Sequence, residues 1–363
     1  MRRGSPDYFF IALVIILVVF GLVMLASASS DLAKLKFGDS YYYLKHQILY
    51  GLSFGLLGFF FAAFFNYRKL ESWSLWILIA GIVLLFLIFT PLGVSSGGAE
   101  RWLNFGPLNF QPGEFIKLAF LIYLAAWLGK SESRSRSFVS GFLPFLFLSG
   151  VIAILLFLQP STTTAIVLLA SSLLTYFIAG ARLKFLVAAV VLGAIILGVL
   201  IFLTPYRMER ILTFLNPERD PLGTGYHLNQ AKIAIGSGGL TGVGYGESTT
   251  KLRYLPEPIG DSIFAVIAEE LGFIGAAGLI LVFVLFIWRG FRIARGGRDN
   301  FSRWLGASFT SLIGIQAFIN IAAISGFFPL TGVPLPFISY GGTALAVFLT
   351  MSGLIVNISR SRR

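Results

Sequence analysis

The chain has 363 residues, of which 56% are hydrophobic and 12% charged, with no cysteine and a formal net charge of +12. Its mean hydropathy is +0.85. Soluble domains carry about 25% charged residues, so this composition excludes an ordinary soluble protein and points to an integral membrane protein. The lack of cysteine excludes disulfides, thiolate metal sites and thiol catalysis. The positive charge does not imply a nucleic-acid partner, because the basic residues lie in short turns between apolar runs.

A membrane helix needs roughly 20 apolar residues. Ten runs meet that length, at 8–28, 46–65, 72–90, 112–129, 138–158, 162–180, 184–204, 262–288, 304–327 and 341–358. Backbone polar groups in lipid must be satisfied within each segment. The expected fold is therefore all-α, a polytopic membrane protein whose residues 1–363 form a single integral-membrane domain. Arg2 and Arg3 precede the first run, and Ala26-Ser27-Ala28 imitates a signal-cleavage site. That run is longer than the roughly 7–15 apolar residues of a signal peptide, so it reads as a retained span.

Orientation follows from the basic residues. With the N-terminus in the cytoplasm, the cytoplasmic turns hold 17 Lys and Arg against four acids (Asp7, Glu71, Glu132 and Asp299). The opposite segments hold 10 basic and nine acidic residues. This bias places both termini in the cytoplasm. It puts the longest polar segment, about 205–261, on the extracytoplasmic side between the seventh and eighth spans. A loop of that length in a compact protein is usually functional or disordered. Its Leu, Ile and Tyr residues, set among turn signals, predict partial order with short interfacial helices.

Ionisable residues inside spans are costly and mark candidate sites. They are Glu114, Lys117, Glu269 and Glu270. Glu114 and Lys117 are three apart and share a helix face, either as a structural ion pair or as the lining of a polar cavity. Glu269 and Glu270 are adjacent, so they point in different directions. One is available to a cavity, the other to cap a neighbouring helix. Asp261 stands where the long loop becomes an apolar helix. It reads either as a helix N-cap or as a general base at the membrane surface. His46 and His227 lack a second ligand at metal spacing and read as ordinary polar residues. Gly242-Val-Gly-Tyr-Gly246 imitates a dinucleotide fingerprint without its βαβ context. Its glycines suit tight turns or close backbone approach to a ligand. No metal site is evident.

Four stretches carry a family resemblance. One is Gly98-Ala-Glu-Arg-Trp-Leu-Asn104 with Phe110-Gln-Pro-Gly-Glu-Phe-Ile-Lys117. Another is Gln159-Pro-Ser161. A third runs from Asp220-Pro-Leu-Gly-Thr-Gly-Tyr226 through Tyr254-Leu-Pro-Glu257 and Asp261 to Glu269-Glu-Leu-Gly272. The last is Thr331-Gly-Val-Pro-Leu-Pro-Phe-Ile-Ser-Tyr-Gly-Gly342. Together they resemble the SEDS family of shape, elongation, division and sporulation proteins, which includes FtsW, RodA and SpoVE. The sequence departs from the family pattern at Gly113, Ser161, Ile259-Gly260 and Thr343.

The resemblance implies a peptidoglycan glycosyltransferase. It would join lipid II into β-1,4 glycan strands and release undecaprenyl pyrophosphate, with Asp261 as the essential carboxylate. A glycosidase usually needs two carboxylates. A pyrophosphate leaving group needs no protonation, so one base plus positive charge suffices. Arg101, Lys117, Arg210, Lys251 and Arg253, or a divalent cation (Mg or Mn), are the candidates for that charge. Glu114, Glu257 and Glu270 complete the expected substrate cavity. The implied setting is the plasma membrane at the division septum, with membrane lipid, a class B penicillin-binding protein transpeptidase and other divisome proteins as partners. The Arg-Trp-Leu-Asn and Leu-Asn-Phe-Gln-Pro stretches lean toward the division and sporulation members. An elongation polymerase, a lipid II flippase and a scaffold remain alternatives.

Overall fold

The computed structural model describes residues 4–96, 99–106, 108–131, 133–216, 223 and 225–361. Among these, nine helices are long and apolar enough to cross a membrane, and a tenth apolar helix, Thr162–Ile178, is shorter. The spans are α1 (Tyr8–Phe37), α2 with α3 (Tyr42–His46 and Ser53–Phe64, joined by a π-helical stretch), and α4 (Tyr67–Leu87). They continue with α5 (Pro112–Gly129), α6 (Leu143–Leu158), α7 (Thr162–Ile178) and α8 (Leu183–Leu203). Three short helices follow, α9 (Pro205–Leu215), α10 (Tyr226–Ser237) and α11 (Thr250–Arg253), before α12 (Ile263–Arg295), α13 (Asn300–Ile324) and α14 (Gly342–Arg360). The short helices are the order expected within the long loop.

Successive spans alternate in direction, which gives the molecule a basic end and a site end. At the basic end, Asp7 caps α1 by accepting from the Phe10 N–H. The Asp7 carboxylate also pairs with Arg289 at 2.8 Å, which ties the start of α1 to the end of α12. The buried centre is built from α5, α13 and α14, whereas α8 is almost wholly exposed. In lipid that exposure is ordinary, since an apolar face there needs no protein partner.

The all-α expectation misses one element. Between α4 and α5 lie three strands, β1 (Gly93–Ser96), β2 (Ala99–Phe105) and β3 (Leu108–Phe110), in an antiparallel sheet of order β1-β2-β3. β2 and β3 pair with Leu103 opposite Phe110. The Asn104 side chain accepts from the Gly106 N–H at 2.8 Å, and Gly106 takes a positive φ. That is an Asx-type turn. Strands this short in a glycine-rich loop leave no alternating run to read.

α12 is broken at Gly272, where φ is 64° and ψ −166°. The segment around Gly242 supplies the missing partners. Val243 N–H donates to Glu269 O, Gly244 N–H to Glu270 O, and Phe273 N–H to Gly239 O. A Cβ on Gly242 would sit 2.1 Å from the Glu270 carbonyl, and one on Gly272 2.3 Å from the Gly242 nitrogen. These glycines therefore serve close approach of two backbone segments rather than approach to a ligand.

Candidate active site

At the site end a cavity of about 200 Å³ opens between α9, the start of α10, the turn before α12 and the 330–332 segment. Asp261, Arg210, Tyr206, Glu209, His227 and Gly332 are among the groups that line it. Asp261 is not an N-cap. Ser262 holds that position, and no side chain caps the helix. The Asp261 carboxylate instead turns toward the cavity, with its Oδ1 buried and without a hydrogen-bond partner. Burial, and secondarily the nearby Glu257 carboxylate, push its pKa up to about 7, against the pull of the Arg210 guanidinium and two backbone N–H groups.

Backbone contacts fix this position. Glu257 adopts a left-handed φ of 49°, and its carbonyl accepts from the N–H groups of Gly260 and Ser262. Such a conformation costs energy in a non-glycine residue and persists where the surroundings enforce it. The 331–342 stretch braces the same turn. Ser339 Oγ donates to Gly260 O at 2.6 Å, Tyr340 N–H donates to Ile259 O at 2.8 Å, and Asn320 Nδ2 bridges Asp261 O and Val333 O.

His227, which reads from the sequence as an ordinary polar residue, belongs to the site. Its Nε2 lies 2.7 Å from Ser262 Oγ. That hydroxyl donates to Pro256 O at 2.7 Å. A hydroxyl has one proton, so His227 must donate from Nε2 and carry its free lone pair on Nδ1. Burial, and then the positive charge of Arg210, push its pKa down to about 4, so it is neutral at pH 7. No sequence spacing links residues 227 and 262; only the return of α10 to the α12 entrance brings them together.

Arg210 is set by the amphipathic helix α9. Its guanidinium stacks over the Tyr206 ring at 4.6 Å, donates to the Tyr206 hydroxyl, and donates to Leu330 O at 3.2 Å. The carbonyl and phenol satisfy donors without neutralising the charge. Arg101 on β2 stands near the same region, since Tyr206 and Arg210 both act on its charge. Its donors, however, go to the carbonyls of Gln159 and Pro160.

The other candidate residues fall outside the cavity wall. Glu114 and Lys117 form an ion pair at 2.7 Å on α5, fully buried. In this structure α13 and α14 cover the pair, and Lys117 also donates to Gln316 Oε1 at 2.8 Å and lies over the Phe348 ring. Gln316 Nε2 in turn donates to Pro334 O at 2.9 Å. The pair thus reaches the brace behind Asp261 through α13.

Lys251 and Glu270 also lie away from this cavity wall. They form a separate buried pair at 2.6 Å, shared with Ser27 of α1. Glu269 points elsewhere, accepting from the hydroxyls of Ser248 and Thr250 and from the N–H groups of Thr249 and Thr250 at the start of α11. The Arg253 side chain, and Asp220 to Leu222 with Thr224 of the third motif, lie outside what the structure describes.

A family model described as cell cycle protein, FtsW/RodA/SpoVE, matches residues 7–363. Stage V sporulation protein E of Bacillus subtilis (strain 168) is 37% identical over all of this chain and 99% of that protein. A protein from Geobacter sp. (strain M18) named probable peptidoglycan glycosyltransferase FtsW is 36% identical over 100% of this chain and 99% of its own. Among solved structures, a chain of a peptidoglycan synthase complex that coordinates polymerization and crosslinking superposes with a TM-score of 0.83. It is 30% identical and covers 98% of each chain.

Proposed function

This chain belongs to the FtsW/RodA/SpoVE family of cell cycle proteins, and from that premise we propose that it is a peptidoglycan glycosyltransferase of the FtsW type. Its substrate is lipid II, joined into β-1,4 glycan with release of undecaprenyl pyrophosphate. The supporting observation is the Asp261 carboxylate at a cavity wall, with its pKa pushed up to about 7. A general base works best with a pKa near the working pH.

Asp261 takes the proton of the acceptor sugar hydroxyl as the oxygen attacks the anomeric carbon of the donor. The bond from that carbon to the pyrophosphate oxygen breaks, and the electron pair leaves with the phosphate. Arg210, held by neutral partners, supplies positive charge to the departing pyrophosphate. His227 stays neutral and offers Nδ1 as an acceptor, so it positions a hydroxyl without competing for the proton.

Among the described residues no three His, Asp or Glu side chains converge on one point. A divalent cation would therefore be held between Asp261 or Glu209 and the substrate phosphates, the manner in which Mg²⁺ usually binds. The basic end is read as facing the cytoplasm, which would open the site on the extracytoplasmic side; the FtsW-type reading puts the protein at the septum. A class B penicillin-binding protein transpeptidase and other divisome proteins are the proposed partners. The test is purified protein with lipid II, with glycan length read on a gel. Polymer from the wild type that disappears with Asp261→Ala supports the reading; equal polymer from both, or lipid II crossing a vesicle without being joined, defeats it.

A further inference from the structure

An exposed aromatic cluster stands beside the catalytic turn. Phe37, at the end of α1, stacks on Tyr42 at 3.8 Å, and Tyr42 continues to His46 and Tyr43. Tyr41 precedes Tyr42 and is 57% exposed, a large aromatic left open. The cluster is coupled to the site by direct bonds. The Tyr340 hydroxyl lies 2.9 Å from His46 Nδ1, and the Tyr340 N–H is the one that donates to Ile259 O, two residues before Asp261. The Glu257 carboxylate also acts on Tyr43.

Exposed Tyr and Phe near a membrane commonly mark the lipid interface, but these rings are flanked by charged residues. α1 has 30 residues, about 45 Å at 1.5 Å per residue. The hydrocarbon core takes about 30 Å and each headgroup layer about 5–7 Å more. The Asp7–Arg289 pair pins α1 at its other end. A helix of that length reaches the outer headgroup layer, and Asp31, Lys34 and Lys36 on its last turns favour water over the apolar core. Asp39 and Lys45, paired at 2.7 Å beside the rings, are solvent-exposed as well.

We propose that the Tyr41–Tyr42 surface is a glycan-binding subsite, a platform on which sugar rings next to the reacting unit stack. Pyranose rings of β-1,4-linked N-acetylhexosamines present flat C–H faces that pack on aromatic rings. Their hydroxyl and acetamido edges suit the neighbouring Asp39 and Lys45. The platform's continuity with residues 257–261 favours a segment of the strand over a partner protein. It rests on the polymerase reading for the identity of that strand.

The test has two arms, both on the full-length protein in detergent. In one, a β-1,4-linked N-acetylglucosamine hexamer is titrated by saturation-transfer NMR. In the other, glycan length from lipid II is measured without the transpeptidase. Tyr41→Ala with Tyr42→Ala should weaken hexamer binding at least tenfold and shorten strands several-fold. Tyr41→Trp with Tyr42→Trp should retain both, which a lost fold would not. Absence of hexamer binding to the wild type overturns the proposal. So does equal binding and strand length in the alanine variant, or a length defect that appears only when the transpeptidase is added. If the wild type binds the hexamer, with the same loss in the alanine variant, yet makes no polymer, the subsite stands and the polymerase reading falls.

Discussion

Asp261→Asn should make the protein more stable while removing its activity, and the stability gain should grow with pH. The folded-state pKa is raised from 3.8 to about 7. An acid whose pKa is raised by folding favours the protonated native form. It contributes nothing differential below the unfolded pKa, and its ionisation then opposes folding increasingly up to the folded pKa. A tenfold change in an ionisation equilibrium is worth about 1.4 kcal/mol, so the penalty is about 1.5 kcal/mol at pH 5 and about 4 kcal/mol at pH 8. Water in the cavity trims the upper figure. Asparagine keeps the shape and removes the charge, so the stability gap over wild type should roughly double or more between pH 5 and pH 8.

The assay is thermal unfolding of both proteins in one detergent at several pH values, alongside polymerisation of lipid II. Loss of a general base typically costs about 10²–10⁴ in rate. Parallel stability profiles across pH 5–8 would refute the claim that Asp261 is held against its own ionisation. A large rate loss without that divergence would leave Asp261 in the mechanism but not as a base tuned by burial.

Wild-type polymerisation should rise about tenfold per pH unit below 7 and flatten above it, since the base must be unprotonated; a flat profile from pH 5 to 8 would contradict the Asp261 assignment. Arg210→Lys keeps the charge but loses the planar fork that meets the Tyr206 hydroxyl and Leu330 O; KM for lipid II should rise about tenfold, and an unchanged KM would remove Arg210 from the phosphate. Glu114→Gln or Lys117→Met alone leaves an uncompensated buried charge and should cost about 3–5 kcal/mol, whereas the double variant should recover much of it; thermal unfolding of the three variants decides. Gly272→Ala should weaken folding and activity together through the Gly242 clash, read as lower melting temperature and yield.

Span number and their alternation were legible because lipid imposes a length and forbids unsatisfied backbone. The basic-residue bias marked one end for the same reason. The sheet at 93–110 was hidden because its strands are held by tertiary context. Asp261 stood out as a candidate base only with the family motif beside it; from spacing alone the cap reading competed, and the structure places the N-cap position one residue later, at Ser262. His227 was invisible because its partner is 35 residues away. The pairing of Lys251 with Glu270 was not legible because sequence cannot tell which buried charges share a space.

The three charge groups divide the work by what satisfies them. Lys251 and Glu270 neutralise each other and, with Ser27, clamp α1 against the break in α12. Glu114 and Lys117 also cancel, but Lys117 gives another donor to Gln316, and α13 carries that order through Gln316 and Asn320 to Val333, Pro334 and the Asp261 carbonyl. Arg210 and Asp261 keep charge at the cavity, because carbonyls, a phenol and backbone N–H groups hold them instead of counter-ions. A carboxylate and a guanidinium held on one cavity wall are preorganised for a ligand bringing an acceptor hydroxyl to one and a phosphate to the other.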